Sequence, residues 1–378
     1  MPCDVSVVPC PDYDETRVTE ALLAALAPLG GLDWVNPGMR IAIKTNLVGP
    51  LKPDTAAVTH PVVVTALCRL LTQRGAEVIV GDSPGGPWAA AWVSSTYNAC
   101  GIRAVENAGA TLNRDFSQRD VSFPEAVACR HFPYTTWLES ADAVIDCCKL
   151  KTHGLTGMSC AAKNLFGVIP GTRKPEFHFL YPDVTVFSNM LVDLTEYVKP
   201  RLSVVDAVTC MEGNGPTQGT PRHMGALVCA HSPHHADLVC AGLIGFEPQE
   251  VATLAAAIER GLCPASADAL EVFGNPAAFA LPDFEKLPHR DTAIFGLRLL
   301  FIDKLMARGF GARPHVVRDA CIACGRCVEV CPKDTVFLRG GRAVIERKPC
   351  IRCFCCQEFC PKGAIVIRRP ILARLLGK

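Results

Sequence analysis

What this sequence has little of narrows it before any motif is read. Net charge is nearly absent: 38 Lys+Arg stand against 37 Asp+Glu, a formal +1 at pH 7. No basic stretch is interleaved with aromatics, so nucleic acid is not an expected partner. Long apolar runs are missing. The nearest, residues 293–305, is broken by Arg298, Asp303 and Lys304, and a membrane-spanning helix needs about 18 uninterrupted apolar residues. The opening Met-Pro-Cys-Asp-Val lacks the basic and apolar regions of a secretory signal, and none is expected. Both nucleotide fingerprints are absent. Residues 81–87, Gly-Asp-Ser-Pro-Gly-Gly-Pro, are not followed by Gly-Lys-Ser/Thr and do not spell G-x-G-x-x-G. The remainder is ordinary: 49% hydrophobic and 20% charged residues describe a globular chain. Its 378 residues hold one large domain with a small one, or two medium domains.

Cysteine, by contrast, is abundant, at 21. Eight of these residues form two copies of one pattern. Cys321, Cys324, Cys327 and Cys331 precede Pro332, and Cys350, Cys353, Cys356 and Cys360 precede Pro361. Each run reads C-x2-C-x2-C-x3-C-P, and the second lies 29 residues after the first. Three cysteines spaced this closely wrap one corner of a cubane, and the fourth ligates the other cluster. One 4Fe–4S cluster is therefore assigned to Cys321, Cys324, Cys327 and Cys360, and a second to Cys350, Cys353, Cys356 and Cys331. Zinc also takes paired C-x2-C units, but it does not call for two full runs each closed by proline. Between the runs, strand-like residues 335–338 and 343–346 flank Gly340-Gly341, a hairpin signal, and 364–367 read as a further strand. The stretch resembles the bacterial two-cluster ferredoxin module, which implies a redox partner protein. Cys355 has no slot in the pattern and reads as a bystander beside the second cluster. Most other cysteines sit in apolar runs as small hydrophobes. A disulfide framework is not expected, and a reducing cytoplasm is. Residues 311–378 carry 14 Lys+Arg against 5 Asp+Glu. That excess offsets thiolate charge locally; docking of an acidic partner is the weaker alternative.

Upstream, strand-like runs at 5–8, 39–48, 77–80, 143–146, 202–205 and 226–230 alternate with helical patterns at 16–26, 60–74, 183–198 and 236–244. This alternation predicts an α/β domain: an open, mostly parallel sheet with helices on both faces. The expected organisation is a large domain over 1–290, a connector over 291–317, an α+β two-cluster ferredoxin domain over 318–369, and a basic tail over 370–378.

Polar residues gather where these strands end, the place where open α/β sheets bind ligands. They are Lys44 and Asn46, Asp82, Lys149 with Lys151 and His153, and Asp206 with Glu212 and Asn214. Lys163 and Asn164 lie in a glycine-flanked segment able to fold over the same crevice. The bland alternatives are a solvated lysine face and, for 81–87, a simple turn rather than an anion-binding loop. The functional expectation is one crevice facing a cluster and holding a small anionic substrate. Lys44, Asn46, Asp82, Lys149, Lys151, Asn164, Glu212 and Asn214 would bind it, Lys163 would act on it, and His153 would donate a proton. His223, His231, His234 and His235 crowd one region; His234 and His235, at the start of a helix, read as surface residues rather than a metal site.

These motifs carry a second resemblance. Ile-Lys44-Thr-Asn46, Thr59-His60-Pro61, Gly-Asp82-Ser-Pro-Gly, Lys149-x-Lys151-Thr-His153, Lys163-Asn164-Leu-Phe-Gly167 and Met-Glu212-Gly-Asn214-Gly-Pro216 occur in order. The chain is similar to the domain-of-unknown-function 362 family, whose members often end in a two-cluster ferredoxin module. That resemblance implies architecture and no particular reaction. Three functions stay open: a reductase of a small anion, an electron carrier or redox-sensing subunit, and a cluster or metal maturation factor. Gene neighbourhood and spectral response to metabolites would separate them.

Overall fold

The computed structural model describes residues 3–287 and 312–368. Its elements follow from local signals. Helix α1 (Glu15–Leu26) starts at Asp14, whose carboxylate accepts from Thr16 N and Arg17 N. Helix α2 (Pro61–Thr72) places proline at its first position behind an N-capping His60. Helices α3 (Ala90–Ala99), α4 (Ala161–Asn164) and α5 (Lys174–Leu180) follow. Helix α6 (Val184–Val198) is capped by Asp183 and α7 (Pro233–Leu243) by Ser232; α8 (Ala252–Glu259) comes last in the large domain.

The strands are β1 (Val5–Pro9), β2 (Arg40–Thr45), β3 (Glu77–Gly81), β4 (Thr111–Leu112), the separate antiparallel pair β5 (Gln118–Ser122) and β6 (His131–Thr135), β7 (Ala143–His153), β8 (Gly157–Ser159), β9 (Leu202–Glu212), β10 (Thr220–Ala230) and β11 (Val272–Gly274). Nine of them form one sheet in the order β11-β1-β10-β9-β7-β2-β3-β4, with β8 paired to β7. The pairings from β9 through β4 are parallel, while β10 runs antiparallel to both β1 and β9. The sheet is thus mostly parallel, as expected, with an antiparallel insertion at one side.

Helices cover both faces. On β2, Ile41 and Ile43 join a core with Val18, Leu22 and Leu67, whereas Ala42 between them joins one with Phe187 and Leu191. Alternate residues of a strand point to opposite faces, so each face has its own core. The lengths of β7 and β9 correct the sequence reading. Strand β7 runs on to His153 instead of stopping near residue 146, so Lys149 and Lys151 lie inside a strand.

The C-terminal region has two small antiparallel pairs: β12 (Arg313–Val316) with β15 (Ile365–Arg368), and β13 (Val336–Arg339) with β14 (Arg342–Ile345). Gly340 and Gly341 both take positive φ, 59° and 70°, which a two-residue hairpin turn of this kind requires. The connector expected over 291–317 lies outside the described residues except at its end, which is strand β12. The basic tail over 370–378 lies outside them entirely. This region packs into the large domain: Ala312, Phe354 and Ile367 share a core with Leu155, Phe166 and Val168. Gln357 Nε2 donates to Asn214 O at 3.0 Å and Oδ1 at 3.0 Å, and to Gly215 O at 3.1 Å.

Candidate functional site

The 29-residue repeat is written into the backbone. Ala323 and Arg352 take left-handed φ of 55° and 57°, Gly325 and Phe354 take 80° and 63°, and Asp334 and Gly363 take 50° and 59°. Non-glycine residues rarely sit there, at a cost of roughly 1–2 kcal/mol each, so a tight chain path around something is imposed twice. Two small cavities lie at these turns. Cys321, Cys324, Cys327 and Cys360 line the first; Cys331, Cys350, Cys353 and Cys356 line the second. The fourth cysteine of each run therefore faces the other run's cavity. Backbone amides reach the sulfurs: Thr335 N donates to Cys331 Sγ at 3.3 Å, Ala364 N to Cys360 Sγ at 3.2 Å, and Ala343 N to Cys321 Sγ at 3.4 Å. Four thiols per cavity, with amides favouring their charged form, fit the donor set of a four-iron cluster. Among the described residues no three His, Cys, Asp or Glu groups converge closely enough for a single metal ion.

Beside the second cavity lies a narrow crevice between the two regions, partly open to solvent. Its large-domain wall is built at the carboxyl ends of β2, β3 and β7. Lys44, Asp82 and Asn164 meet there. Lys44 Nζ is 2.9 Å from Asp82 Oδ1 and donates to Asn164 Oδ1 at 2.9 Å. Asn46 Nδ2 donates to the same Asn164 oxygen at 2.9 Å, and Asn46 Oδ1 accepts from Lys151 Nζ at 2.6 Å. Asn164 Nδ2 in turn donates to Asp146 Oδ1 at 2.6 Å. Burial raises the Asp146 pKa to about 8, against the pull of Lys44 and Asn164, and lowers that of Lys151 to about 7. Gly167 is required by this packing, because a Cβ there would collide with Lys44 and Asp82.

Two groups face the crevice with protons to give. His153 Nδ1 accepts from Leu155 N at 3.1 Å and Thr156 N at 3.3 Å. The ring proton therefore sits on Nε2, which is buried without a partner. Burial, with Lys163 adding to it, holds the imidazole neutral, its pKa well below the ordinary range. The Lys163 ammonium stands 4.8 Å from the Phe166 ring centre, and burial lowers its pKa. Lys174, which sequence reasoning missed, also lines the crevice, donates to Ser83 O, and is lowered by burial to about 8. The opposite wall comes from residues 355–359, with Cys355, Glu358 and Phe359 facing in. Phe359 fits against Gly85, where a Cβ would collide with its ring. Cys355, read as a bystander, thus stands between the crevice and the neighbouring ligand Cys356.

Of the residues expected in one crevice, Asn46, Asp82, His153, Lys163 and Asn164 line it, and Lys44 and Lys151 bond directly to that lining. Lys149, Glu212 and Asn214 do not, which corrects the single-crevice expectation. Lys149 Nζ binds Asp206 Oδ2 at 2.8 Å and Tyr13 OH at 2.8 Å, deep in the sheet. Glu212 accepts from Glu285 N at 3.0 Å and lies 3.9 Å from Arg222. Asn214 holds the two regions together through Gln357. Lys174 had no strand end beside it, and Glu358 lies inside the cysteine run, so neither carried a signal of its own.

Residues 41–242, more than half of the chain, match the family described as Domain of unknown function (DUF362). The chain belongs to that family. A thylakoid-associated protein of Synechocystis sp. is 31% identical over 291 residues, which cover 75% of this chain and 87% of that relative. Residues 314–337 match a 4Fe-4S binding domain, so the C-terminal region is an iron–sulfur domain. Two solved structures show looser likeness. A structural-genomics protein from Thermotoga maritima is 16% identical with a TM-score of 0.40, covering 61% of this chain and 58% of its own. The lactate racemase apoprotein from Thermoanaerobacterium thermosaccharolyticum is 11% identical with a TM-score of 0.36, covering 63% and 57%. The chain spans less than two thirds of the length of either. Among the described residues no helix is long and apolar enough to cross a membrane.

Proposed function

We propose that this protein is an iron–sulfur oxidoreductase that reduces a small anion in the crevice. It would carry two 4Fe–4S clusters, one on Cys321, Cys324, Cys327 and Cys360 and one on Cys331, Cys350, Cys353 and Cys356. One observation carries the reading: a single short segment, residues 353–359, lines the second cysteine cavity on one side and the crevice on the other. When bound, the clusters supply electrons one at a time. The chain's own residues do the rest. Lys163 and Lys174 hold the anion, and the His153 Nε2–H stands ready to donate a proton. The apolar Phe166 and Phe359 keep water from the site. Cys324 and Ile322, exposed at the rim of the first cavity, offer a face to a redox partner protein. All 21 cysteines are unpaired, in keeping with a reducing compartment.

The test begins with metal content. Anaerobically purified protein should hold about eight irons per chain, and its visible absorption should bleach with dithionite. Cys331→Ser should remove the cluster that also uses Cys350, Cys353 and Cys356, leaving about half the iron. Loss of the cluster nearest in sequence instead would overturn the ligand assignment. The reduced protein should then reoxidise when its anionic substrate is added; reoxidation only by partner proteins would favour an electron carrier.

A further inference from the structure

The crevice has donors without acceptors and one positive charge in surplus. His153 is 4% exposed, and its Nε2–H has no partner. Lys163 is 9% exposed, lies over the face of Phe166 and feels the Glu358 carboxylate. A buried donor left unmade costs about 1–3 kcal/mol, so His153 points to an acceptor that the described residues do not provide, and Lys163 sets a positive charge beside it. The formal charges around the space can be counted. Lys44 and Asp82 cancel at 2.9 Å. Lys163 and Lys174 bring two positive charges and Glu358 one negative. Lys151 lies behind Asn46 and the ligand thiolates lie beyond Cys355, so these act from outside the walls in opposite senses.

Resting on the reduction reading above, we infer that the ligand of this crevice is a planar monocarboxylate. One of its oxygens lies between His153 Nε2 and Lys163 Nζ, and its carbon substituent lies against Phe166 and Phe359. A monoanion cancels the surplus. A phosphate carries about −1.5 to −2 at pH 7, and a dicarboxylate −2. Either would leave uncompensated negative charge beside Asp82, Glu358 and the thiolates, which is costly in a desolvated space. The donor set agrees. A carboxylate offers two oxygens with about four lone-pair sites, enough for one imidazole N–H and an ammonium. No arginine, whose planar fork suits phosphate, lines the crevice among the described residues. The aromatic and proline surfaces of Phe166, Phe359, Pro175 and Pro216 serve no inorganic anion, yet they would bury a carbon chain or ring.

The test is calorimetric titration of the anaerobic, cluster-loaded full chain with benzoate and pyruvate, in parallel with inorganic phosphate and succinate. At least one monocarboxylate should bind about tenfold or more tighter than phosphate or succinate, a gap of about 1.4 kcal/mol. Lys163→Ala and His153→Leu should each weaken that binding by about tenfold with iron content unchanged; Lys163→Ala should keep the melting midpoint, whereas His153→Leu should lower it, because Leu155 N and Thr156 N lose their acceptor. Lys163→Arg, which keeps the charge, should retain most of it. Preferential binding of phosphate or succinate overturns the inference, as does monocarboxylate affinity unmoved in both variants. The reduction reading fails separately. Monocarboxylate binding without any reoxidation of the reduced protein would sink reduction and keep the ligand class.

Discussion

Two buried lysine networks lie at the centre of the sheet among the described residues, and one of them opens on the crevice. Lys149 and Lys151 are neighbours on β7 in one motif, and both are almost wholly buried. Lys149 closes on Asp206 and Tyr13. Asp206 also accepts from His60 N at 2.9 Å, and Tyr13 stacks on His60 with ring centres 3.5 Å apart. Both Asp206 oxygens and the Tyr13 hydroxyl are bonded within it, and among the described residues the network does not reach the crevice. Lys151 instead belongs to the chain of contacts through Asn46, Asn164 and Lys44 that ends at an open crevice. Beyond that chain stand His153 and Lys163 with unspent protons. A buried cation marks a binding site when its network leaves donors over, and marks architecture when every bond is closed.

The comparison breaks most visibly at Lys149. Lys149→Met leaves Asp206 as an unpaired buried carboxylate and should destabilise the large domain by about 3–5 kcal/mol. Anaerobic urea unfolding followed by tryptophan fluorescence would measure it, and iron content should be unchanged. A loss below about 1 kcal/mol would mean that Tyr13 and the His60 amide hold Asp206 without the lysine, so that this network is not an ion pair in energetic terms.

How much of this was legible beforehand depends on how local each signal is. The cysteines are placed by spacing within one run, and the paired left-handed residues Ala323 and Arg352 repeat with it. The cysteine cavities could therefore be assigned from sequence, even to the exchange of Cys331 and Cys360. The mostly parallel sheet and the placing of Lys44, Asn46 and Asp82 at strand ends followed from periodicity; the strand order β9-β7-β2-β3 did not. The course of β7 did not. Charged residues inside a buried strand contradict its apolar pattern, and Lys149 is tolerated only because Asp206 arrives from another strand. Glu212 and Asn214 looked like site residues because a glycine-rich loop after a strand reads the same whether it holds a ligand or a neighbouring domain. Lys174 and Glu358 reach the crevice from elements whose approach is decided by tertiary packing alone.

A smaller effect sharpens the contrast through pH. Burial lowers the Lys151 pKa to about 7, while an unfolded lysine titrates near 10.4. Between those values the unfolded chain binds the extra proton, so the Lys151 contribution to stability rises with pH. It is least below about pH 7 and complete above about pH 10.4. Asp146, raised to about 8, works the other way: its contribution is present at low pH and falls away as pH rises towards 8. The buried thiols add a further downward trend at alkaline pH. The informative quantity is therefore the difference between wild type and Lys151→Met. That difference should grow with pH from about 7 upwards by at most about 1.4 kcal/mol per unit. A difference flat with pH would show that Lys151 stays charged on Asn46 and Ala57 O, making its network as closed as that of Lys149.

The smallest expected effect is the most telling. Among the described residues Lys163 donates no side-chain hydrogen bond, and burial already disfavours its charge. Methionine at that position keeps the length of the stem and its contact with Phe166 while removing an uncompensated cation. Replacing a buried charge by an apolar group of similar volume is often neutral or stabilising. In the ligand-free protein, Lys163→Met should thus shift stability by less than about 0.5 kcal/mol, or raise it. The same residue would then matter for binding and not for folding, the opposite of Lys149. Urea midpoints for the two variants, compared with and without a monocarboxylate, give both numbers in one experiment. A loss above about 1 kcal/mol in the ligand-free Lys163→Met protein would mean that the ammonium is already held from within the chain. Glu358 is the acid best placed to hold it, and a crevice closed by that pair would have no surplus charge to offer a ligand.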